Sequence, residues 1–112
     1  MELKLNIYDK RKVVKTYTTD TYDLMTGTVE DIINLVDTKM FADDTNSIAF
    51  IGSFVKILAG AFHLFKPLLK EIFDGLTDEE LRHTKMKDVA SVLVAVVTFG
   101  LKQMDGLGDE KN

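Results

Sequence analysis

Two histidines, His63 and His83, stand twenty positions apart. That is too far for the close pairing by which one helix presents two imidazoles to zinc. The chain has no Cys, which excludes a disulfide framework, a thiolate metal site and a cysteine nucleophile. Acids cluster at Glu30-Asp31, Asp43-Asp44 and Asp78-Glu79-Glu80. Paired carboxylates perform acid–base chemistry only where burial raises the pKa of one of them. The first and third clusters fall at expected helix starts, where the macrodipole keeps acids ionised and accounts for their placement. Asp74-Gly75 lacks the ligand series of a calcium loop. Gly52 and Gly60 follow no strand and fit no phosphate-cradling pattern. Ser47, Ser53 and Ser91 have no nucleophile-elbow context. The reading is a protein with no enzymatic activity, no metal and no cofactor. His63 is expected in a core or interface, and His83 in a solvated or helix-capping corner.

The remaining resource is apolar surface, and the elements that carry it follow from periodicity. Leu3, Leu5 and Ile7 alternate with Glu2, Lys4 and Asn6, and Lys12–Thr18 is rich in β-branched and aromatic types. Residues 1–18 therefore read as a β-hairpin leaning on helices. Thr28 is expected to cap a helix whose stripe is Val29, Ile32, Ile33 and Val36, ending near Thr38 or Lys39. After a connector at 40–46, capped by Asn46 or Ser47, residues 47–65 form one long helix that is apolar nearly all round. Only Ser53, Lys56, Gly60 and His63 trace a thin polar or small stripe on it. Pro67 is expected to kink this helix or to open a new one.

In KPLLKEIFDGLTDEEL, residues 66–81, Gly75 is expected to close the helix in a left-handed cap, and Thr77 with Glu80 to form a capping box for the next. Thr84 is a candidate cap for a last helix running from Met86 to about Met104, with a frayed polar tail at 105–112. The fold class is mainly α: a single domain over 1–104, with about four to five helices and an N-terminal β-hairpin.

Hydrophobic residues are 46% of the 112 and the net charge is −4. An acidic chain offers no broad basic surface, so nucleic acid is not an expected partner. Residues 48–65 approach the length of a membrane span. Lys56 near their middle argues against one, because a central Lys costs about 2.5–3.5 kcal/mol. A 112-residue monomer does not readily cover so much apolar helix, which points to self-association or client binding. The residues expected to form that surface are Phe50, Phe54, Ile57, Leu58, Ala61, Phe62 and Phe65. Their competing use is internal core.

YDLMTGTVEDIINLV at 22–36 and KPLLKEIFDGLTDEEL at 66–81, followed by HTKMKDVASVLVAVV, resemble the tail assembly chaperones of long-tailed phages and prophages of Gram-positive bacteria. The resemblance runs from the N-terminal ELKLNIYDKRKVVKTY to about residue 104. It implies a small helical protein of the host cytoplasm, absent from the mature virion. Such a protein coats the tape measure protein, keeps it soluble and helps recruit the major tail (tube) protein. It also implies, in many members, a longer frameshifted form whose junction would lie near DGLGDEKN; the homo-oligomer is expected from the apolar surface itself. Two rivals remain at this point. One is a holin-like membrane protein using 48–65 and 89–101 as spans, or a structural helical oligomer of different role, and the other is a small enzyme, which no sequence feature favours.

Overall fold

The alternation at the N-terminus becomes strand β1 (Glu2–Asp9), paired antiparallel with β2 (Lys12–Asp20). Leu3, Leu5 and Ile7 are buried while Glu2 and Lys4 face out, as a strand with one apolar face requires. The register shifts between Ile7, opposite Lys15, and Tyr8, opposite Val13. Val14 is thus the extra residue of a β-bulge, and it is exposed. The two-residue turn places Lys10 at φ +60°, a conformation that usually selects Gly, Asn or Asp.

The computed structural model describes residues 1–36, 41 and 48–109. A short 3-10 turn (Thr21–Asp23) leads from β2 into helix α1 (Thr26–Leu35), followed by α2 (Ile48–Gly60), α3 (Phe62–Ile72), α4 (Asp78–Leu81) and α5 (Met86–Asp109). Five α-helices among the described residues and an N-terminal hairpin match the expected fold class. Helix α5 is the spine: it packs against α1, α2 and β1, while α1 also packs on α3. The core along it includes Leu5, Ile32, Phe54, Leu58, Phe65, Leu69, Leu93 and Val97, all excluded from solvent.

Several boundaries differ from the sequence reading. Helix α1 begins at Thr26, so Thr28 is inside its first turn and does not cap it; Glu30 and Asp31 fall mid-helix. Thr28 is buried and donates its hydroxyl to Glu71 Oε1 of α3 at 2.5 Å. The same helix stops at Leu35, with Val36 in extended conformation. The caps proposed at Asn46 or Ser47 lie outside the described residues. Thr84 turns its hydroxyl back to the Leu81 carbonyl at 2.7 Å, so it serves the end of α4. The helical backbone of α5 continues through Asp109, five residues past the expected end near Met104.

The largest difference is at the long apolar segment. It does not run unbroken from 47 to 65: the chain bends by 103° between α2 and α3, with Ala61 at the corner (φ −131°, ψ 25°). Pro67, the expected kink, sits inside α3. Its ring is exposed, and the hydrogen bond it cannot make would have reached the carbonyl of His63, also on the exposed side. Water can satisfy that carbonyl, so the helix tolerates the proline. The bend lets Phe65, Leu68, Leu69 and Ile72 of α3 turn back into the same core as α2. After α3, the Phe73 carbonyl accepts from the Leu76 amide at 3.1 Å, and Gly75, at φ +89°, is the third residue of that turn. Gly75 therefore shapes the following turn; the helix itself ends at Ile72, with extended Phe73 as its C-cap.

Candidate functional site

The seven residues singled out from sequence separate by helical phase. Phe50, Phe54 and Leu58 recur every four positions on the side of α2 that faces inward, and Phe65 joins them from α3; all four are buried. Phe41 meets Phe50 edge-on at 5.1 Å and Phe54 at 6.1 Å, while Phe50 and Phe54 stack at 6.3 Å. These four are core, because a client cannot reach side chains already enclosed by α5 and α3. Ile57 is exposed, and Ala61 and Phe62 are half-buried at the α2–α3 corner. Leu64, 45% exposed, extends that corner patch.

A larger concave surface lies elsewhere. An open groove of about 640 Å³ runs between α2 and α5, with Ile51 on one wall, Val94, Ala95, Thr98 and Phe99 on the other, Met1 at one end and Lys102 among its lining residues. The α5 residues recur at spacings of three and four, so one face of that helix supplies most of the groove. Tyr22, 78% exposed, meets Phe99 edge-on at 5.6 Å, and Met25 nearby in sequence is 74% exposed. Met1 is held where it is by the Thr21 amide, which donates to its carbonyl at 2.9 Å. The chemistry on offer is mainly apolar contact, with the Lys102 ammonium and the Thr98 hydroxyl beside it and the Met1 ammonium paired to Asp20. Ser91 donates to the Lys87 carbonyl at 3.0 Å, within its own helix. The sequence reading singled out none of the groove residues as a site. Their signal was present in the near-continuous apolar run VLVAVVTF, which has more apolar width than one core contact needs.

The titratable groups are arranged for structure. The capping box at Thr77 forms as expected: Glu80 N–H donates to Thr77 Oγ1 at 3.1 Å, and Thr77 N–H to Glu80 Oε1 at 3.1 Å. The same carboxylate accepts from Tyr17 Oη at 2.6 Å and from Lys15 Nζ at 3.0 Å, both on β2. The Tyr17 hydroxyl first, then Lys15 and the Thr77 amide, bring the Glu80 pKa down to about 2 against the opposing effect of desolvation. Its ionisation is therefore set by the hairpin more than by the dipole of four-residue α4. The hydroxyl and carboxylate beside Lys15 raise its pKa. Hydrogen bonding to Lys70, at 2.5 Å, lowers that of Asp78. A carboxylate held ionised in this way is no general acid near neutral pH.

His63 is exposed on α3 and so is not a core residue. His83 is exposed too, with Nε2 3.3 Å from Glu79 Oε1, and its carbonyl accepts from the Tyr8 amide at 2.8 Å. Among the described residues no group of three His, Cys, Asp or Glu side chains converges as a metal site would need. No single helix there is long and apolar enough to cross a membrane. Only the bent pair α2–α3 has the length and composition together. The span proposed at 48–65 is broken at the corner, and 89–101 is the middle of α5, where Val89, Val92, Leu93, Val96 and Val97 are core.

Comparison of the chain with protein-family models, with curated proteins and with solved structures returns no match.

Proposed function

We propose that this protein is a non-catalytic binding protein that shields apolar segments of a larger client, acting as a tail assembly chaperone for a phage tape measure protein in the host cytoplasm. The observation that carries the client-binding part is the apolar α2–α5 groove, with exposed Tyr22 against its Phe99. The phage assignment rests on the resemblance of the 22–36 and 66–81 segments. An amphipathic client helix laid in the groove would present apolar residues at three- and four-residue spacing, the helix-in-groove mode of recognition. Each 100 Å² or so of apolar client surface covered contributes about 2.5 kcal/mol before ordering costs. Many copies along an elongated client multiply that gain. Recruitment of the tube protein and self-association belong to the same proposal, with the Ile57–Leu64 corner as a second contact.

Co-expression with the tape measure protein of the neighbouring gene tests the reading. The client should be recovered soluble and bound with the native chain, and lost with Ala95→Glu, which places a charge in the groove. A client equally insoluble with and without the native chain overturns the chaperone assignment. Full rescue by a folded Ala95→Glu variant overturns the groove.

A further inference from the structure

The end of the molecule opposite the open end of the hairpin carries charge of the other sign from the chain as a whole. The hairpin tip contributes Lys10, Arg11 and Lys12, and the α4–α5 corner contributes Arg82 and Lys85. The two are tied side by side by the Tyr8 amide bond to the His83 carbonyl, 2.8 Å. Between them lies a recess of about 270 Å³ lined by Tyr8, Lys10, Arg82, His83, Thr84 and Lys85.

We propose that this basic recess binds an acidic, Asp- and Glu-rich segment of a partner protein. Three observations converge on it. First, Lys15, Lys66 and Lys70 spend their charge on Glu80 and Asp78, whereas Lys10, Arg11, Lys12, Arg82 and Lys85 have no ion-pair partner among the described residues. Lys56, Lys87 and Lys102 are unpaired as well, but only these five gather at one pole of a chain whose net charge is −4. Second, Lys10 is the sole non-glycine described residue with positive φ. Gly would relieve that conformation, so the strained position carries an amine on the rim of the recess. Third, the Lys85 ammonium lies 4.5 Å from the Tyr8 ring centroid, which steadies the cation over an aromatic floor.

The shape selects the class of ligand. The recess is open and its cations are surface side chains on two segments, which suits several carboxylates spaced along a peptide better than one enclosed oxyanion. Exposed Val14 and the Tyr8 ring line an adjoining recess of about 220 Å³, and they offer apolar contact to residues between the acids. Asp9, Glu79 and Glu80 line that same adjoining recess, so they repel a carboxylate placed there and leave it to the apolar residues between the acids, which sets the register. A nucleic acid would meet the remaining acidic surface as soon as it extended beyond this one pole.

The test is fluorescence anisotropy with a labelled peptide of alternating Glu and small apolar residues, at low ionic strength. Saturable binding that weakens as salt rises is expected. Arg82→Glu with Lys85→Glu should weaken it by about tenfold or more. Lys4→Glu with Lys56→Glu, the same change of net charge elsewhere, should stay within about twofold. If the Arg82/Lys85 variant does not fold, Lys10→Gly replaces it, with a loss of about threefold expected. Absence of binding at low salt, equal losses in both double variants, an unchanged Lys10→Gly, or tighter binding of a single-stranded oligonucleotide of equal charge would each overturn the proposal.

Discussion

Replacing Tyr17 by Phe removes one oxygen and leaves the ring packed 6.3 Å from Phe73, so it isolates the hydroxyl that ties the hairpin to the capping box. That hydroxyl donates to Glu80 Oε1 at 2.6 Å and has the Gly75 carbonyl 3.1 Å away as a second acceptor. A hydrogen bond to a charged group contributes about 1.5–3 kcal/mol. The Glu80 side chain keeps a relative exposure of 20%, and solvent screening places the expected cost in the lower half of that range, about 1.5–2 kcal/mol. Glu80→Gln keeps a neutral acceptor but loses the charge, so Tyr17→Phe in that background should cost about 1 kcal/mol less than in the native chain. Urea unfolding of the four proteins measures this coupling.

The pH dependence has a definite sign. The Glu80 pKa is depressed on folding from 4.5 to about 2, so its contribution is complete above 4.5 and disappears as pH falls through about 2. The coupling should be constant above that window and shrink within it. A coupling below about 0.3 kcal/mol at neutral pH, or one unchanged on acidification below the window, refutes the assignment of Glu80 as the charged link between hairpin and corner.

Other substitutions probe the packing. At Gly100 an added Cβ would come within 2.7 Å of Val29 Cγ1 and 2.8 Å of Ile33 Cδ1, so Gly100→Ala should destabilise by about 1–3 kcal/mol, read as a lower urea midpoint. Phe54→Ala should cost about 3–5 kcal/mol and Ile57→Ala under about 1, because the first empties enclosed core and the second trims an exposed side chain. Equal costs would contradict the phase of α2. Lys10→Gly should raise stability by about 0.5–1 kcal/mol through relief of the positive φ, even as it weakens the acidic-peptide binding proposed above.

Where a feature depends on neighbours in sequence, it was legible. The alternation of Leu3, Leu5 and Ile7 specified a strand with one buried face, and Thr77 with Glu80 specified a capping box, because each pattern closes within one or two turns of chain. The helical stripe of α1 was legible for the same reason, although its first turn began two residues before the expected cap. The apolar 48–65 segment resisted. With hydrophobic residues on nearly every side, its periodicity could not say whether Phe50, Phe54, Leu58 and Phe65 were core or surface. Nor could it place the corner at Ala61 ahead of Pro67, because whether a helix carries an internal proline depends on whether the carbonyl it frees faces water, which only the packing decides.

The sequence by itself determined the elements: a hairpin, a set of apolar helices and the corner at 73–81. Only the tertiary structure decided which helix faces meet. It turned Phe54 toward α5, brought Gly100 against Val29 and Ile33, opened the groove beside Ile51 and Phe99, and carried Tyr17 to Glu80 across sixty-three positions. It also set Arg82 and Lys85 beside the hairpin tip. Local propensity acts over a few residues, whereas these contacts join segments far apart in sequence, and burial energy selects them only once the whole chain has packed.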